Sequence, residues 1–195
     1  AATTILDAES KNRHFYFDGD QDTTLQIIGF TLQNGKITSD SRGGSIYMRD
    51  GTRPVFKDCV FKDNLIERDE GGEGGAIYIE HPSSSSNLSY PVKFYRCKFI
   101  GNQVKVKHNA YGGAVWAGSG AEFINCLFDN NGAIGGVDDN VSNYQRGHGG
   151  AILADAKCCW DGGQWVGGSV TVKNCTFVDN YTDYKTNSGE SKGAA

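Results

Sequence analysis

The chain has 195 residues, 23 acidic against 19 basic, for a formal charge of -4. No block of Lys and Arg supplies the clustered positive charge that phosphate binding needs, which excludes nucleic acid as the main partner. No apolar run approaches the roughly 20 residues of a membrane-spanning helix, and 27 glycines punctuate short segments of Val, Ile, Phe, Tyr and Thr, which makes the class all-β.

Taken in chain order, Thr3 to Asp7 and His14 to Asp18 read as short strands. Leu25 to Gly35 (LQIIGFTLQNG) opens a phrase that then recurs as RPVFKDCVFKDN (Arg53 to Asn64), PVKFYRCKFIGN (Pro91 to Asn102), AEFINCLFDNN (Ala121 to Asn131) and VTVKNCTFVDN (Val170 to Asn180). Phe30 takes the cysteine slot in the first copy. Between copies stands a second phrase: Gly43 to Ile46, Gly74 to Ile77, Gly112 to Val115 and Gly149 to Ile152. The cysteines of successive copies are 38, 29 and 49 residues apart. Such uneven periods fit a solenoid of constant strands and variable loops.

Apolar residues alternate on each side of the cysteine, but the step from Phe56 to Cys59, or from Phe94 to Cys97, is odd. The backbone therefore turns a corner before each cysteine, and both arms point inward. Phe61, Phe99, Phe128 and Phe177 form one inward column, and Cys59, Cys97, Cys126 and Cys175 another, read as small buried hydrophobes. Ile46, Ile77, Val115 and Ile152 supply a third strand. The expected fold is one right-handed parallel β-helix of about five rungs over residues 1–195, stacked about 4.8 Å apart.

Asn64, Asn102, Asn131 and Asn180 close the second arm and read as a turn ladder, because Asn tolerates left-handed backbone and its amide bonds to its neighbours. Outside the core, Tyr47, Tyr78 and Trp116 follow the inward residue of the second phrase, with Leu153 in the next copy. They are expected to form a solvent-side aromatic stripe that, with Trp160 and Trp165, suits a glycan or a protein partner. The alternative is that neighbouring loops cover them. Four stretches read as loops: Leu65 to Glu73, Glu80 to Tyr90, Gly132 to His148 and Asp155 to Ser169. Asn87 and Asn140 are glycosylation sequons in loops. For Cys158 and Cys159, pairing together, pairing elsewhere and free thiols all stay open.

No active site assembles from the sequence. The outward corner residues Asp58, Arg96, Asn125 and Asn174 make no carboxylate pair, and no two histidines stand at a ligand spacing. Asp18 to Asp22 spaces its acids like a calcium loop, but Thr23 and Gly29 stand where Gly and Glu are needed. An acidic turn is expected, and no cofactor.

The Gly-Gly-Ala-Ile and Phe-x-x-Asn phrases resemble the repeats of chlamydial polymorphic outer membrane proteins, and more widely the β-helix surface proteins of the pectin-lyase-like fold. The resemblance rests on Phe61 to Asn64, Phe99 to Asn102, Phe128 to Asn131 and Phe177 to Asn180, with Gly74 to Ile77 and Gly149 to Ile152. It implies secretion, surface display and a structural or adhesive role. Lys192-Gly193-Ala194 stands where a further Gly-Gly-Ala strand would begin, so a segment of a longer solenoid, or a unit stacking end to end with neighbouring copies, is expected. The runner-up is a polysaccharide-acting lyase or hydrolase, or a carbohydrate-binding module, on the same fold.

Overall fold

The computed structural model describes residues 4–18, 24–81, 91–136, 146–155, 159–161, 164–166 and 169–184. Asn87, Asn140 and Cys158 lie outside these residues. Of Cys159, Trp160 and Trp165 only the backbone is described, in an antiparallel pair that sets Trp160 opposite Trp165.

Every other strand pair among the described residues is parallel, and the chain winds as a β-helix. The first wall stacks Gln26–Ile28, Val55–Lys57, Val92–Tyr95, Ala121–Ile124 and Val170–Lys173. The corner follows, with φ of 54° at Asp58, 52° at Arg96, 56° at Asn125 and 51° at Asn174. This left-handed backbone costs a residue with a Cβ roughly 1–2 kcal/mol. Two surface contacts support it: Arg96 grips Asp58 with two hydrogen bonds of 2.7 and 2.8 Å, and Asn174 donates to Asn125.

The second wall has six strands, Thr4–Asp7, Phe30–Gln33, Val60–Lys62, Lys98–Ile100, Leu127–Asp129 and Thr176–Val178. The register sets Phe61 against Phe99 and Phe128 against Phe177. The rings of this column stack 4.6–4.9 Å apart, nearly coplanar, from Phe61 to Phe177. Phe56, Phe94 and Phe123 stack likewise on the first wall, at 4.9–5.0 Å. The strand spacing sets both distances, and rings of the two columns meet edge to face. All five inner rings of this set from Phe56 to Phe123 are fully buried, as is Phe128.

The turn differs from expectation after the asparagine. Three strands were expected to enclose the core; a further wall is present, made of Lys36–Ile37, Leu65–Arg68, Gln103–Val106, Gly132–Gly135 and Tyr181–Tyr184. A narrow ladder of Gly72–Glu73, Ala110–Tyr111 and Gly147–His148 follows it. Leu65–Arg68 and Gly72–Glu73 of one expected loop, and Gly132–Gly135 and Gly147–His148 of another, are thus strand. Here Ile66, Val104, Val106, Ala110 and Ala133 form a second, smaller core.

The last wall, Phe15–Phe17, Ile46–Met48, Ile77–Ile79, Val115–Ala117 and Ile152–Ala154, completes each turn. It is entered through the Gly-Gly pair. Gly112 has φ of 63°, and a Cβ on Gly113 would overlap the Gly150 carbonyl oxygen and lie 2.6 Å from the Gly132 carbonyl carbon. Backbone meets backbone here, so only glycine fits.

Candidate functional site

The residues that first suggest chemistry lie inside. Cys59, Cys97 and Cys126 are buried and free, and Cys175 is half-buried at the last turn. Their thiols donate weakly to carbonyls, as Cys59 does to Ile27 and Lys57 at 3.3 Å. Burial pushes the Cys97 thiol well above its ordinary range, which suits a packing role. Asn64, Asn102 and Asn131 are wholly buried and Asn180 nearly so. The amide nitrogens of Asn64, Asn102 and Asn131 each donate to the oxygen of the next Asn, at 2.8–2.9 Å, and to a carbonyl of the preceding turn.

The outer side of the last wall is different. Strand alternation turns Tyr16, Tyr47, Tyr78, Trp116 and Leu153 outward in register. Tyr16 meets Tyr47 edge-on at 4.9 Å, Tyr47 meets Tyr78 edge-on at 5.1 Å, and Tyr78 stacks on Trp116 at 4.5 Å. The stripe expected from the sequence is therefore present as a column, but it is not open to solvent: Tyr47, Tyr78 and Trp116 are 7%, 3% and 4% exposed. The reason lies in the columns on either side.

On one side runs Arg42–Glu73–Tyr111–His148, aligned by the narrow ladder. The Arg42 guanidinium lies 5.9 Å from the Tyr47 ring centre and 5.1 Å from that of Tyr78, a cation–π arrangement. Its Nε stands 3.5 Å from Glu73 Oε2. Although burial opposes its charge, Tyr78, Tyr47 and Glu73 raise the Arg42 pKa. Burial raises that of Glu73 more than Arg42 lowers it. Tyr111 and His148 stack at 5.1 Å.

On the other side the residues just past the strands line up as Asp18, Arg49, Glu80, Gly118 and Asp155. Arg49 bridges its neighbours, 3.2 Å from Asp18 and 3.5 Å from Glu80. Glu80 also accepts from the Tyr47 hydroxyl at 2.9 Å and from the Asp50 backbone N–H at 3.1 Å. Gly118 breaks the column of charges because the Trp116 ring fills its side-chain place: a Cβ there would overlap that ring and come within 2.9 Å of the His81 nitrogen. His81 crosses the gap, edge-on to Trp116 at 4.7 Å. Its Nδ1 lies 2.9 Å from the Gly118 carbonyl and its Nε2 3.3 Å from Asp155 Oδ2.

These columns frame a cleft of about 600 Å³, lined by Asp18, Arg42, Arg49, Asp50, Tyr78, Glu80 and His81. Its volume lies in the range of small-molecule sites. Of the expected binding residues, Tyr78 lines the cleft, Tyr47 and Trp116 support it from beneath, and the side chains of Trp160 and Trp165 lie outside the described residues. Asp18 belongs to the cleft, whereas Asp20 and Asp22 are not among the described residues. Sequence reasoning missed Arg42, Arg49, Glu80 and His81. The available signal was their offset: Arg42 stands directly before a Gly-Gly pair, and Arg49, Glu80 and His81 stand just past an Ile-Tyr strand, hence in fixed slots of the repeat.

A family model described as the Chlamydia polymorphic membrane protein (Chlamydia_PMP) repeat matches residues 125–155. The match runs from the Asn125 corner through the Phe128-to-Asn131 turn to the strand at Ile152–Ala154. No curated protein and no solved structure matches the chain. Residues 125–155 are thus similar to the repeat of the chlamydial polymorphic membrane proteins, a surface-protein family, and lie on a parallel β-helix.

Proposed function

We propose that this chain is a non-catalytic, surface-displayed β-helix segment with a structural and adhesive role, continued by further turns stacked on its end. The repeat match supports the surface setting. The observation that carries the reading is the last turn. One face of the Phe177 ring stacks on Phe128 at 4.7 Å, yet Phe177 is 42% exposed, beside Val172 at 45% and Val178 at 40%. Asn180 bonds upward to Asn131 and Phe128, while its own backbone N–H has no partner among the described residues. In every turn above, that N–H donates to an Asn oxygen below. The vacant position suits another Phe-x-x-Asn turn, from an adjacent repeat or a neighbouring copy, because an open strand edge is a template for pairing.

Sedimentation equilibrium of the purified chain tests this, with Val172→Asp as the control that places charge on the end face. Mass rising with concentration, and lost in the variant, is expected. A chain that stays monomeric at all concentrations, with or without an appended Phe-x-x-Asn turn, rules the reading out.

A further inference from the structure

The cleft on the last wall carries an inference that does not depend on the end faces. We infer that it is a binding site for a neutral, hydroxyl-rich ligand, a saccharide unit, held by hydrogen bonds rather than by ring stacking.

The first ground is Tyr78. It is 3% exposed and lines the cleft, and its hydroxyl has no hydrogen-bond partner among the described residues. Tyr47, one turn above, donates to Glu80; the Tyr78 hydroxyl is left for whatever fills the cleft. The second ground is Asp18, which uses Oδ1 for Arg49 and leaves Oδ2 without a donor among the described residues. The Arg42 Nε also makes no hydrogen bond, but it is sealed against Glu73 at 3.5 Å and offers a ligand nothing. One hydroxyl and one unused acceptor thus face one space. A sugar hydroxyl both donates and accepts, so adjacent hydroxyls match such a pair.

Charge selects between ligand classes. Glu80 is already engaged by Tyr47, Asp50 and Arg49, and Arg49 by Asp18 and Glu80. An ionic ligand would have to break these pairs and leave a charge uncompensated; a neutral one leaves them in place. Stacking is not available, because the ring faces of Tyr78 and Trp116 cover each other and Arg42 covers Tyr78.

Ligand-observed NMR on the full chain tests the inference, titrating the methyl glycosides of galactose, glucose, mannose and N-acetylglucosamine, with glucuronate and glucosamine as charged arms. At least one neutral glycoside should show saturable binding, with the charged sugars weaker. Tyr78→Phe, which removes one hydroxyl oxygen and keeps the ring stack, should weaken it roughly 2- to 12-fold, the range of one hydrogen bond. Asp18→Asn, at an exposed position, should weaken it similarly, with unfolding midpoints unchanged in both. No saturable neutral sugar, tighter binding of a charged one, or wild-type affinity in both variants would each overturn it.

Discussion

Asn102 donates from Nδ2 to Asn131 Oδ1 over 2.9 Å, and the same oxygen takes the Asn102 backbone N–H at 3.1 Å. One atom thus satisfies two donors in a fully buried place. Asn102→Ala strands an N–H and an amide of its neighbours, and a loss of about 2–4 kcal/mol follows from leaving buried polar groups unpaired. Asn102→Asp keeps the shape but lacks the Nδ2 donors. Both are expected to lower the urea midpoint, and an unchanged midpoint for either would contradict the ladder as a source of stability.

Phe94 lies between Phe56 and Phe123, with a ring on each side. Phe94→Ala opens a cavity and is expected to cost about 3–5 kcal/mol. Phe177→Ala, stacked on one side only, should cost less than half as much in the same denaturation series. Equal losses would mean that the last turn packs like an inner one.

Gly118→Ala drives a methyl group into the space of the Trp116 ring. The ring has to leave its stack on Tyr78, so near-ultraviolet circular dichroism should change while the far-ultraviolet spectrum stays. The cost should be about 1–3 kcal/mol, as for other overpacked sites.

Glu73 has its pKa raised above the ordinary value of 4.5, first by burial. The folded state then holds this proton more tightly than the unfolded one. Its contribution is fully present below the unfolded pKa and is lost as pH rises through the higher, folded value. Relative to Glu73→Gln, the wild-type chain should therefore lose stability as pH rises from about 4. Chemical denaturation of both proteins at a series of pH values measures the difference; a gain with pH would reverse the assignment.

The thiols separate acidity from access. The neighbouring Cys97 thiol, against burial, lowers Cys59 to about 7, which by itself favours reaction. Yet Cys59 and Cys97 have no exposed surface and Cys126 is 3% exposed. Access decides, so iodoacetamide mapping of the native chain should leave these three unmodified and find Cys175 modified. In denaturant all four should react.

The walls that face the main core were legible because each turn repeats three or more inward residues at strand spacing, as in Phe94, Cys97 and Phe99. The wall after the asparagine was not. Leu65–Arg68, Gln103–Val106 and Gly132–Gly135 share no residue pattern; each adds one or two small apolar side chains to a minor core, and backbone pairing does the rest. The outer face was half legible. Alternation put Tyr47, Tyr78 and Trp116 outside, but whether an outward ring meets water depends on residues from other turns, such as Arg42 and His81. No single repeat shows that partner.

The asparagine ladder also has a sense of direction. At its first member, Asn64 Oδ1 accepts only from the Gly35 N–H, since glycine brings no amide. At its last, the Asn180 backbone N–H has no acceptor among the described residues. Every amide-to-amide link between them runs the same way, each Asn donating to the turn that follows. A row of buried amides thereby gives the rod a polarity, like the sense of a screw thread.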